Sequence, residues 1–448
     1  MAASAKSGIL EAAERLADIL QGTDKISQES SDQTDPGRQI YGNAGRLKVY
    51  PDNESEVSQV LKFANDHSLT VIPEGGGTKR GLGGILGEAD IVLSLARMKG
   101  IVEHSAGDLV LTVRPGTTLA EIQKQIAPVG QFLAIDAPLS ETSTIGGIIA
   151  ANTSGPKRLR YGSARDLVIG MRVAYPDGQV LRSGSKVVKN VAGYDMNKLY
   201  VGSMGTLGVI TEINFKLKPI PQCEGLMLLE GSAGEIADFS QRIMDSMMEP
   251  VALEMLNPAL NAYLGGSSCF ALAVGFEDVE KAVAAQEQWV RANAGGLKEA
   301  ASLRDSDASA WWRRLADLEG SADGEAIRFS FKAGSLLTDT APLVEFVERE
   351  AQARGIKLYA HGGTGTGISH FHLQEADEGK AFGLLEAMRR KLSEAAGYVA
   401  VEKAPLAARQ KIDVWGGTNP AVRRLMEGIK EHADPKKILN PGRFAGGI

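Results

Sequence analysis

The chain has few cysteines, no long apolar segment and no excess of basic residues, and each of these absences excludes a class of protein. Its two cysteines among 448 residues, Cys223 and Cys269, cannot by themselves hold an iron–sulfur cluster or a cysteine-rich zinc site. No window reaches the roughly 18 consecutive apolar residues that a membrane-spanning helix needs. The 49 Lys and Arg against 55 Asp and Glu leave a net charge of −6, which disfavours a nucleic-acid partner. We therefore expect a cytoplasmic protein that reaches a membrane only through partners.

Two common phosphate-binding motifs are also absent, since the sequence has neither a Walker A motif nor a Rossmann GxGxxG that opens a helix. Glycine is nevertheless abundant, at 52 residues. The apolar residues 69–72 predict a buried strand that ends at Pro73, and six of the residues 74–84 are glycine. Glycine permits positive φ angles and lets main-chain amides converge on an anion, and Lys79 and Arg80 add positive charge. The pattern predicts a phosphate or pyrophosphate cradle; a flexible surface loop is the alternative.

Two later segments are also rich in glycine and small residues. Residues 136–162 contain Ser143, Thr144 and a run of small side chains that ends near Asn152, and residues 201–211 place glycines before an apolar strand. Small side chains allow a flat ligand to approach the main chain, and the hydroxyl and amide groups supply neutral hydrogen bonds. A tightly packed helix start is the alternative for residues 136–162. Together the three segments predict a large cofactor that is bound mainly by main-chain groups.

The periodicity of apolar residues predicts two kinds of structure. Residues 7–20 form an amphipathic helix, and the polar residues 21–45 form an extended linker. Capped helices that begin at Asn53 and Thr118 then alternate with short strands around the glycine loop. Between residues 223 and 397, strands alternate with longer helices, which is typical of a sheet covered by helices on one face, as in ferredoxin-like domains.

Three motifs together resemble the FAD-binding domain of the vanillyl-alcohol oxidase/para-cresol methylhydroxylase (PCMH) family: PEGGGT at 73–78, TIGG at 144–147 with Asn152 and Gly155, and GTLGVIT at 205–211. The tail DPKKILNPGR at 434–443 resembles the glycolate- and lactate-oxidising branch. Within that branch, residues 189–195 and 402–405 resemble the E-type FAD-binding subunit of bacterial glycolate oxidase. The resemblance implies an α+β fold with a two-lobed PCMH-type FAD-binding domain and a ferredoxin-like cap domain with an antiparallel sheet.

The resemblance also implies domain boundaries and a cofactor. We expect an N-terminal helix and linker over 1–45, the FAD-binding domain over 46–220, a cap or substrate domain over 221–400, and a C-terminal segment over 401–448 that returns to the FAD domain. The FAD is expected to be non-covalent, because the nearest histidines, His67 and His104, lie outside the glycine loop. The implied cofactor-binding residues are Pro73, Glu74, Gly75, Gly76, Gly77, Thr78, Pro138, Ser143, Thr144, Gly146, Gly147, Asn152, Gly155, Gly205, Gly208 and Ile210.

Oxidation of a 2-hydroxy acid needs a base for the hydroxyl proton and a cation for the carboxylate. The resemblance places His361 at the position of a metal motif, His-x-Gly-Asp-Gly-Asn-x-x-His, but this sequence replaces its Asp and Asn with Thr and Gly. We therefore predict no metal, although His370 and His372 share one face of a strand and leave a two-histidine site open. Lys403 or Arg443 would place positive charge near the flavin, and Lys189 and Asn190 would lie near its ribityl chain. The catalytic candidates are His361, Lys403 and Arg443.

Three functions are compatible with these residues. The first is an FAD-binding subunit of a glycolate-oxidase-type complex, which works with a D-type flavoprotein subunit and an iron–sulfur subunit. Such a complex passes electrons from glycolate or D-lactate to a quinone or another acceptor, and it would be peripheral at the inner membrane. The second is a stand-alone FAD-dependent 2-hydroxy-acid dehydrogenase. The third is a non-catalytic assembly subunit that binds FAD only structurally.

Overall fold

The chain divides into two compact units in a computed structural model that describes residues 2–28, 41–186, 194–318, 327–374 and 377–448. The first unit comprises residues 1–153, 163–219 and 405–448, and the second comprises residues 154–162 and 220–404. Lys189 and Asn190, with most of the motif at 189–195, lie outside the described residues.

The first unit contains a four-stranded sheet in the order β1-β2-β4-β3. The β2–β4 and β3–β4 pairs are parallel, and β1 is antiparallel to β2. The segment predicted as a linker over 21–45 contains β1 at residues 26–28, which pairs with β2 and packs Ile26 against the core. The strands are β1 Ile26–Gln28, β2 Ala44–Val49, β3 Val71–Glu74 and β4 Glu88–Ser94.

Two helices cover one face of this sheet. The helix Ala2–Leu20 buries Leu16 and Leu20 in a core with Leu47, Val60 and Ile91. The helix Glu54–Asp66 begins where Asn53 accepts a hydrogen bond from the Glu56 amide at 3.0 Å, as the capping pattern predicts. The glycine loop leaves this sheet at the carboxyl end of β3.

A five-stranded antiparallel sheet, in the order β5-β6-β10-β8-β9, completes the core of the first unit, and the short β7 pairs with β11. Its strands are β5 Ile101–Ser105, β6 Val110–Val113, β7 Gln131–Phe132, β8 Val168–Ala174, β9 Val180–Gly184, β10 Val209–Lys216 and β11 Lys218–Pro219. The helices of this part are Leu119–Ile126, Ile145–Ala151, Ala164–Leu167 and Asn197–Tyr200. Thr118 and Glu121 form the predicted capping box.

The C-terminal segment belongs to the first unit because it extends the four-stranded sheet. After the helices Leu406–Arg409 and Pro420–Ala433, the chain passes beside β3: the Val71 amide donates to the Ile438 carbonyl at 2.8 Å, and the Asn440 amide donates to the Val71 carbonyl at 2.9 Å. The buried Lys430 stabilises this position of the C-terminal segment. It donates to the Asp434 carboxylate at 2.7 Å and to the Leu439 carbonyl at 2.8 Å. The motif at 434–443 thus places its last residues next to the glycine loop.

The second unit contains an eight-stranded antiparallel sheet in the order β15-β12-β14-β13-β17-β18-β16-β19. Its strands are β12 Cys223–Gly231, β13 Ala252–Leu256, β14 Phe270–Asp278, β15 Lys298–Arg304, β16 Phe329–Gly334, β17 Leu358–Gly363, β18 Ile368–Leu373 and β19 Tyr398–Lys403. The helices are Arg158–Tyr161, Ala233–Met244, Pro258–Tyr263, Glu280–Asn293, Asp305–Ala316, Leu337–Ala353 and Glu378–Ser393. The strand β13 was not predicted from the periodicity of the sequence. All of its residues are buried, so buried and exposed positions do not alternate along it.

Within the described ranges, no helix has both the length and the apolar character needed to cross a bilayer.

Candidate functional site

The glycine loop folds back on the strand that precedes it. The Glu74 carboxylate, at the end of β3, accepts hydrogen bonds from Lys48 Nζ and from Arg80 Nε, both at 2.8 Å. Its side chain is only 8% exposed, so two cations compensate one largely buried carboxylate. Between Glu74 and Arg80 the chain turns through Gly77 at φ +71°, a conformation that favours glycine. The Glu74–Arg80 pair therefore ties residue 80 in the loop back to the end of β3.

The loop packs directly on the second glycine segment. A Cβ on Gly75 would lie 2.0 Å from Thr144 Oγ1, and a Cβ on Gly76 would lie 2.0 Å from the Thr142 carbonyl oxygen. Neither position accepts a side chain without movement of its neighbour. The first two of the three predicted segments thus meet in space, and their contact requires glycine.

The main-chain amides of residues 75–78 donate no hydrogen bond to any other group in the described part of the chain. The same residues line a pocket. Consecutive unpaired amides at a glycine-rich turn form a concave site for an anion. The local structure therefore has the geometry of the predicted pyrophosphate cradle.

The pocket gathers most of the cofactor-binding residues that the sequence predicts. From the predicted set it is lined by Pro73, Glu74, Gly75, Gly76, Gly77, Thr78, Thr144, Gly146, Gly147, Gly205, Gly208 and Ile210. The pocket lining does not include Pro138, Ser143 or Asn152. Ser143 Oγ donates to the Pro138 carbonyl at 3.0 Å and lies 3.3 Å from Thr78 Oγ1. Ser143, outside the pocket lining, therefore contacts the loop, and Pro138 contacts Ser143. Gly155 belongs to the second unit.

Several residues of the lining were not found from the sequence. Asn43 donates to the Arg80 carbonyl and accepts from the Leu86 amide, both at 2.9 Å, and so holds the outer part of the loop. It lies in the polar segment that was interpreted as a linker, where no local pattern marked it. The lining also includes Lys79 and Arg80, the two cations that the sequence places beside the cradle. Its remaining residues outside the predicted set are Ile72, Leu82, Leu95, Pro115, Ala150, Ala151, Met204, Val209 and Asn440.

Asn43→Ala is expected to lower the free energy of unfolding by about 1–3 kcal/mol, because it removes both hydrogen bonds and leaves the half-buried Leu86 amide without this partner. Thermal and urea unfolding of the variant would measure the change. Asn65→Ala is the matched control, since this residue lies in a helix and its side chain makes no hydrogen bond in the described part of the chain. Equal stability of the two variants would contradict the role assigned to Asn43.

Arg443 lines the same pocket from the C-terminal segment. Its side chain is buried, and Nη2 donates to the Leu82 carbonyl at 2.9 Å and to the Lys79 carbonyl at 3.5 Å. Burial, with a further contribution from the nearby Arg409, lowers the pKa of Arg443 to about 9, although Glu74 opposes the shift. The structure places this predicted catalytic residue as a support of the glycine loop in the first unit.

The other catalytic candidates lie in the sheet of the second unit. His361 on β17 is directly opposite His370 on β18, and His372 follows on the same face. The three rings are stacked, with centroids 5.1–6.2 Å apart. Lys403 lies on β19, two strands away from β18 and three from β17, and it pairs in register with Ser330.

Each imidazole is anchored through its Nδ1 atom. His361 Nδ1 lies 2.8 Å from Glu254 Oε2, His370 Nδ1 lies 3.0 Å from Glu402 Oε2, and His372 Nδ1 lies 3.0 Å from Ser330 Oγ. Because a carboxylate only accepts hydrogen bonds, His361 donates to Glu254 through Nδ1–H, and its Nε2 atom points away from this contact. Desolvation lowers the pKa of His370, against the opposing effect of Glu402. Among the described residues, no group of three His, Cys, Asp or Glu side chains is arranged to hold a metal ion.

Comparisons with known proteins agree with this geometry. The sequence profile described as an FAD binding domain matches residues 46–184. Glycolate oxidase subunit GlcD of Bacillus subtilis is 33% identical over 242 residues, which are 51% of this chain and 51% of that protein. D-lactate dehydrogenase of Archaeoglobus fulgidus is 29% identical over 411 residues, which are 88% of this chain and 90% of that protein. Glycolate oxidase subunit GlcE of Escherichia coli is 39% identical over 172 residues, which are 38% of this chain and 48% of that protein. The aligned part therefore spans about half the length of the two glycolate oxidase subunits.

A solved structure of p-cresol methylhydroxylase with bound substrate has a TM-score of 0.77 to this chain, at 17% identity, and the match covers 97% of this chain and 96% of that chain. This likeness shows the fold. Residues 46–184 form an FAD binding domain. The chain is therefore a flavoprotein of the PCMH-type fold, as the sequence motifs predict.

The residues of the pocket fit FAD. In addition to the amides of residues 75–78, the pocket contains three buried polar atoms that have no partner among the described residues: Thr144 Oγ1, Asn440 Oδ1 and Arg443 Nε. A dinucleotide offers both anionic and neutral polar groups to such atoms, and burial without a partner is costly. The loop amides would hold the diphosphate, and residues 144–151 would contact the remainder of the flavin nucleotide.

The affinity of the flavoprotein for FAD is expected to fall as the pH rises through about 9, the pKa of Arg443. An adjacent diphosphate favours the protonated guanidinium, so binding is strongest below this pKa and weakens by up to about tenfold per pH unit above it. Titration of the apoprotein with FAD across this range, followed by quenching of flavin fluorescence, measures the slope.

Arg443→Gln should remove the pH dependence, whereas Arg97→Gln, at an exposed pair with Asp24, should keep it. An affinity of the unmodified protein that does not change between about pH 8 and pH 10 would show that Arg443 does not interact with the diphosphate.

Proposed function

We propose that this flavoprotein dehydrogenates a 2-hydroxy acid, glycolate or D-lactate, as the FAD-binding subunit of a glycolate-oxidase-type complex. The observation that carries the cofactor part of the proposal is the run of unpaired amides at residues 75–78, packed on residues 142–144. The names of the relatives GlcD and GlcE support the substrate class and a multi-subunit assembly.

The partners in this proposal come from the resemblance to a glycolate-oxidase-type complex, and the chain's composition is compatible with them. With only two cysteines, the chain needs a partner to supply any iron–sulfur cluster. We assign the next electron acceptor to an iron–sulfur subunit or a quinone, and we assign a second role in the complex to a D-type flavoprotein subunit. The complex would be cytoplasmic and would reach the inner membrane only through such partners.

The reaction is a two-electron oxidation that yields a 2-oxo acid. Bound FAD supplies the acceptor for the hydride from carbon 2. His361 would accept the hydroxyl proton at Nε2, and Glu254, whose carboxylate is buried, would stabilise the imidazolium that forms. Lys403 is the proposed cation for the substrate carboxylate. The FAD would be held by the loop and pocket residues without a covalent bond.

A stand-alone dehydrogenase is the second candidate, and one observation favours it. The alignment with the D-lactate dehydrogenase of Archaeoglobus fulgidus covers nearly the full length of both proteins, at 88% and 90%. In that case the same residues would act without a partner chain.

Anaerobic addition of glycolate or D-lactate to the purified full-length chain separates these candidates. Bleaching of the flavin absorption in the isolated chain would establish the stand-alone enzyme. Bleaching only after the partner subunits are added would establish the complex. Flavin that binds but is never reduced would leave a structural role and refute the proposed reaction. Release of all flavin on acid precipitation is expected, and flavin retained in the protein pellet would refute non-covalent binding.

A further inference from the structure

The first unit contains a second cavity, which the proposed function does not use. Its volume is about 580 Å³, in the range of ligand sites. Three segments and Arg423 form its wall; the segments are residues 84–85 at the end of the glycine loop, residues 409–418, and residues 442–447 near the C-terminus. Gly84 and Gly442 are in close contact, because a Cβ on Gly84 would lie 1.9 Å from the Gly442 carbonyl oxygen.

Arg409 brings a positive charge to this wall. Its side chain is 3% exposed, and it donates to the main-chain carbonyls of Gly83 at 3.1 Å, Gly84 at 3.4 Å and Tyr41. Its Nε atom has no partner, and no carboxylate lies within ion-pair distance of the guanidinium, in the part of the chain that the structure describes. Burial lowers the pKa of Arg409 to about 10. A buried cation without a counter-anion is costly, so a bound anion would stabilise this arginine.

The remainder of the wall suits an organic anion with a flat part. Trp415 and Phe444 place two aromatic rings 5.6 Å apart. Arg423 contributes a second guanidinium, which is paired with Glu427 at 2.8 Å. The Asp413 carboxylate, the negative group of the wall, accepts from the amides of Trp415 at 2.9 Å and Gly417 at 2.7 Å, so main-chain donors partly compensate its charge.

We propose that this cavity is a second ligand site, which binds a small organic anion, a carboxylate or a phosphate monoester, with its charged end on Arg409 and its flat part against Trp415 and Phe444. Arg409 also holds the carbonyls of Gly83 and Gly84, and Arg443 holds the carbonyl of Leu82. The two arginines therefore connect the second site to the loop that lines the FAD pocket. Occupation of the second site changes the affinity for FAD, and FAD changes the affinity of the second site by the same factor.

The test uses the full-length flavoprotein with FAD bound and two probes, benzoate and inorganic phosphate. Calorimetry measures binding, and Trp415 fluorescence reports its location, since Trp415→Phe removes the fluorescence change that arises at this site. Thr418→Glu places a negative charge in the wall at a side chain for which the structure shows no hydrogen bond. It is expected to weaken binding by at least about tenfold. Thr338→Glu, at an exposed position in the first turn of the helix Leu337–Ala353 of the second unit, is the matched control and should bind as the unmodified protein does.

Binding of benzoate alone would identify a carboxylate site, and binding of phosphate alone would identify a phosphate site. Either result supports the proposal. Failure of both probes to bind, or equal binding by the Thr418→Glu and Thr338→Glu variants, would overturn it. The test depends on a bound flavin and not on turnover, so it can fail while the proposed reaction stands. It can also succeed with a flavin that no hydroxy acid reduces.

Discussion

Gly76→Ala is expected to weaken FAD binding by about 100-fold, the largest effect that we expect from any change of one methyl group in this protein. The added Cβ would lie 2.0 Å from the Thr142 carbonyl oxygen, a main-chain atom that cannot rotate away. The loop must therefore move, and the unpaired amides of residues 75–78 lose the geometry that we assign to the diphosphate. Titration of the apoprotein with FAD, by calorimetry or flavin fluorescence, measures the loss.

Two controls separate this effect from general destabilisation. Gly107→Ala adds a methyl group in the same unit at a position with no atom within 4 Å, and it should bind FAD normally. Gly75→Ala meets a side-chain atom, Thr144 Oγ1, which can rotate, so its effect should fall between the two. Normal FAD affinity in the Gly76→Ala variant would show that the diphosphate does not lie against this loop.

His361→Gln should reduce kcat by about 10²–10⁴-fold, the range that a general base contributes, while the flavin content stays unchanged. Glutamine keeps the size and polarity of the side chain but does not accept a proton at neutral pH. Stopped-flow measurement of flavin reduction by glycolate or D-lactate, with partner subunits if they are needed, gives the rate. Glu254→Gln should give a smaller loss, because a neutral acceptor still orients Nδ1 but no longer stabilises the imidazolium.

His104→Gln is the control for the loss of a histidine, since His104 bonds Gln131 at 2.8 Å in the first unit and is not part of the pocket wall. If His361→Gln reduces the flavin at the rate of the unmodified protein, the base is another residue. A loss of bound FAD in the same variant would instead show a structural effect.

The pocket that we assign to the cofactor was largely predictable, because the glycines that line it form local patterns in the sequence. Glycine is needed at 75 and 76 because of contacts with residues 142–144. The sequence still indicates both contacting segments, because each is rich in glycine or other small residues. Capped helices were predictable for the same reason, since Asn53 and Thr118 act within one helical turn. Asn43 and Asn440 were missed because each is a single polar residue whose role comes from distant main-chain groups, at Arg80 and Met204.

The histidine cluster shows the limit of sequence reasoning. Alternation along β18 predicts that His370 and His372 share a face, and the structure agrees. The partner of His361, however, is Glu254, which is 107 residues away on a strand with no alternating pattern. Only the order of strands in the sheet, with β13 beside β17, brings the two together.

The sequence by itself determined the glycine turns and the α+β character of the two parts of the chain, because these depend on residues near one another in the chain. It indicated the class of cofactor through the resemblance of its glycine motifs to a known family. The tertiary structure decided which polar groups lack partners, how the C-terminal segment reaches β3, and which carboxylate anchors each histidine. Hydrogen-bond satisfaction and burial depend on groups that are distant in sequence, and so they are settled only when the strands and loops pack.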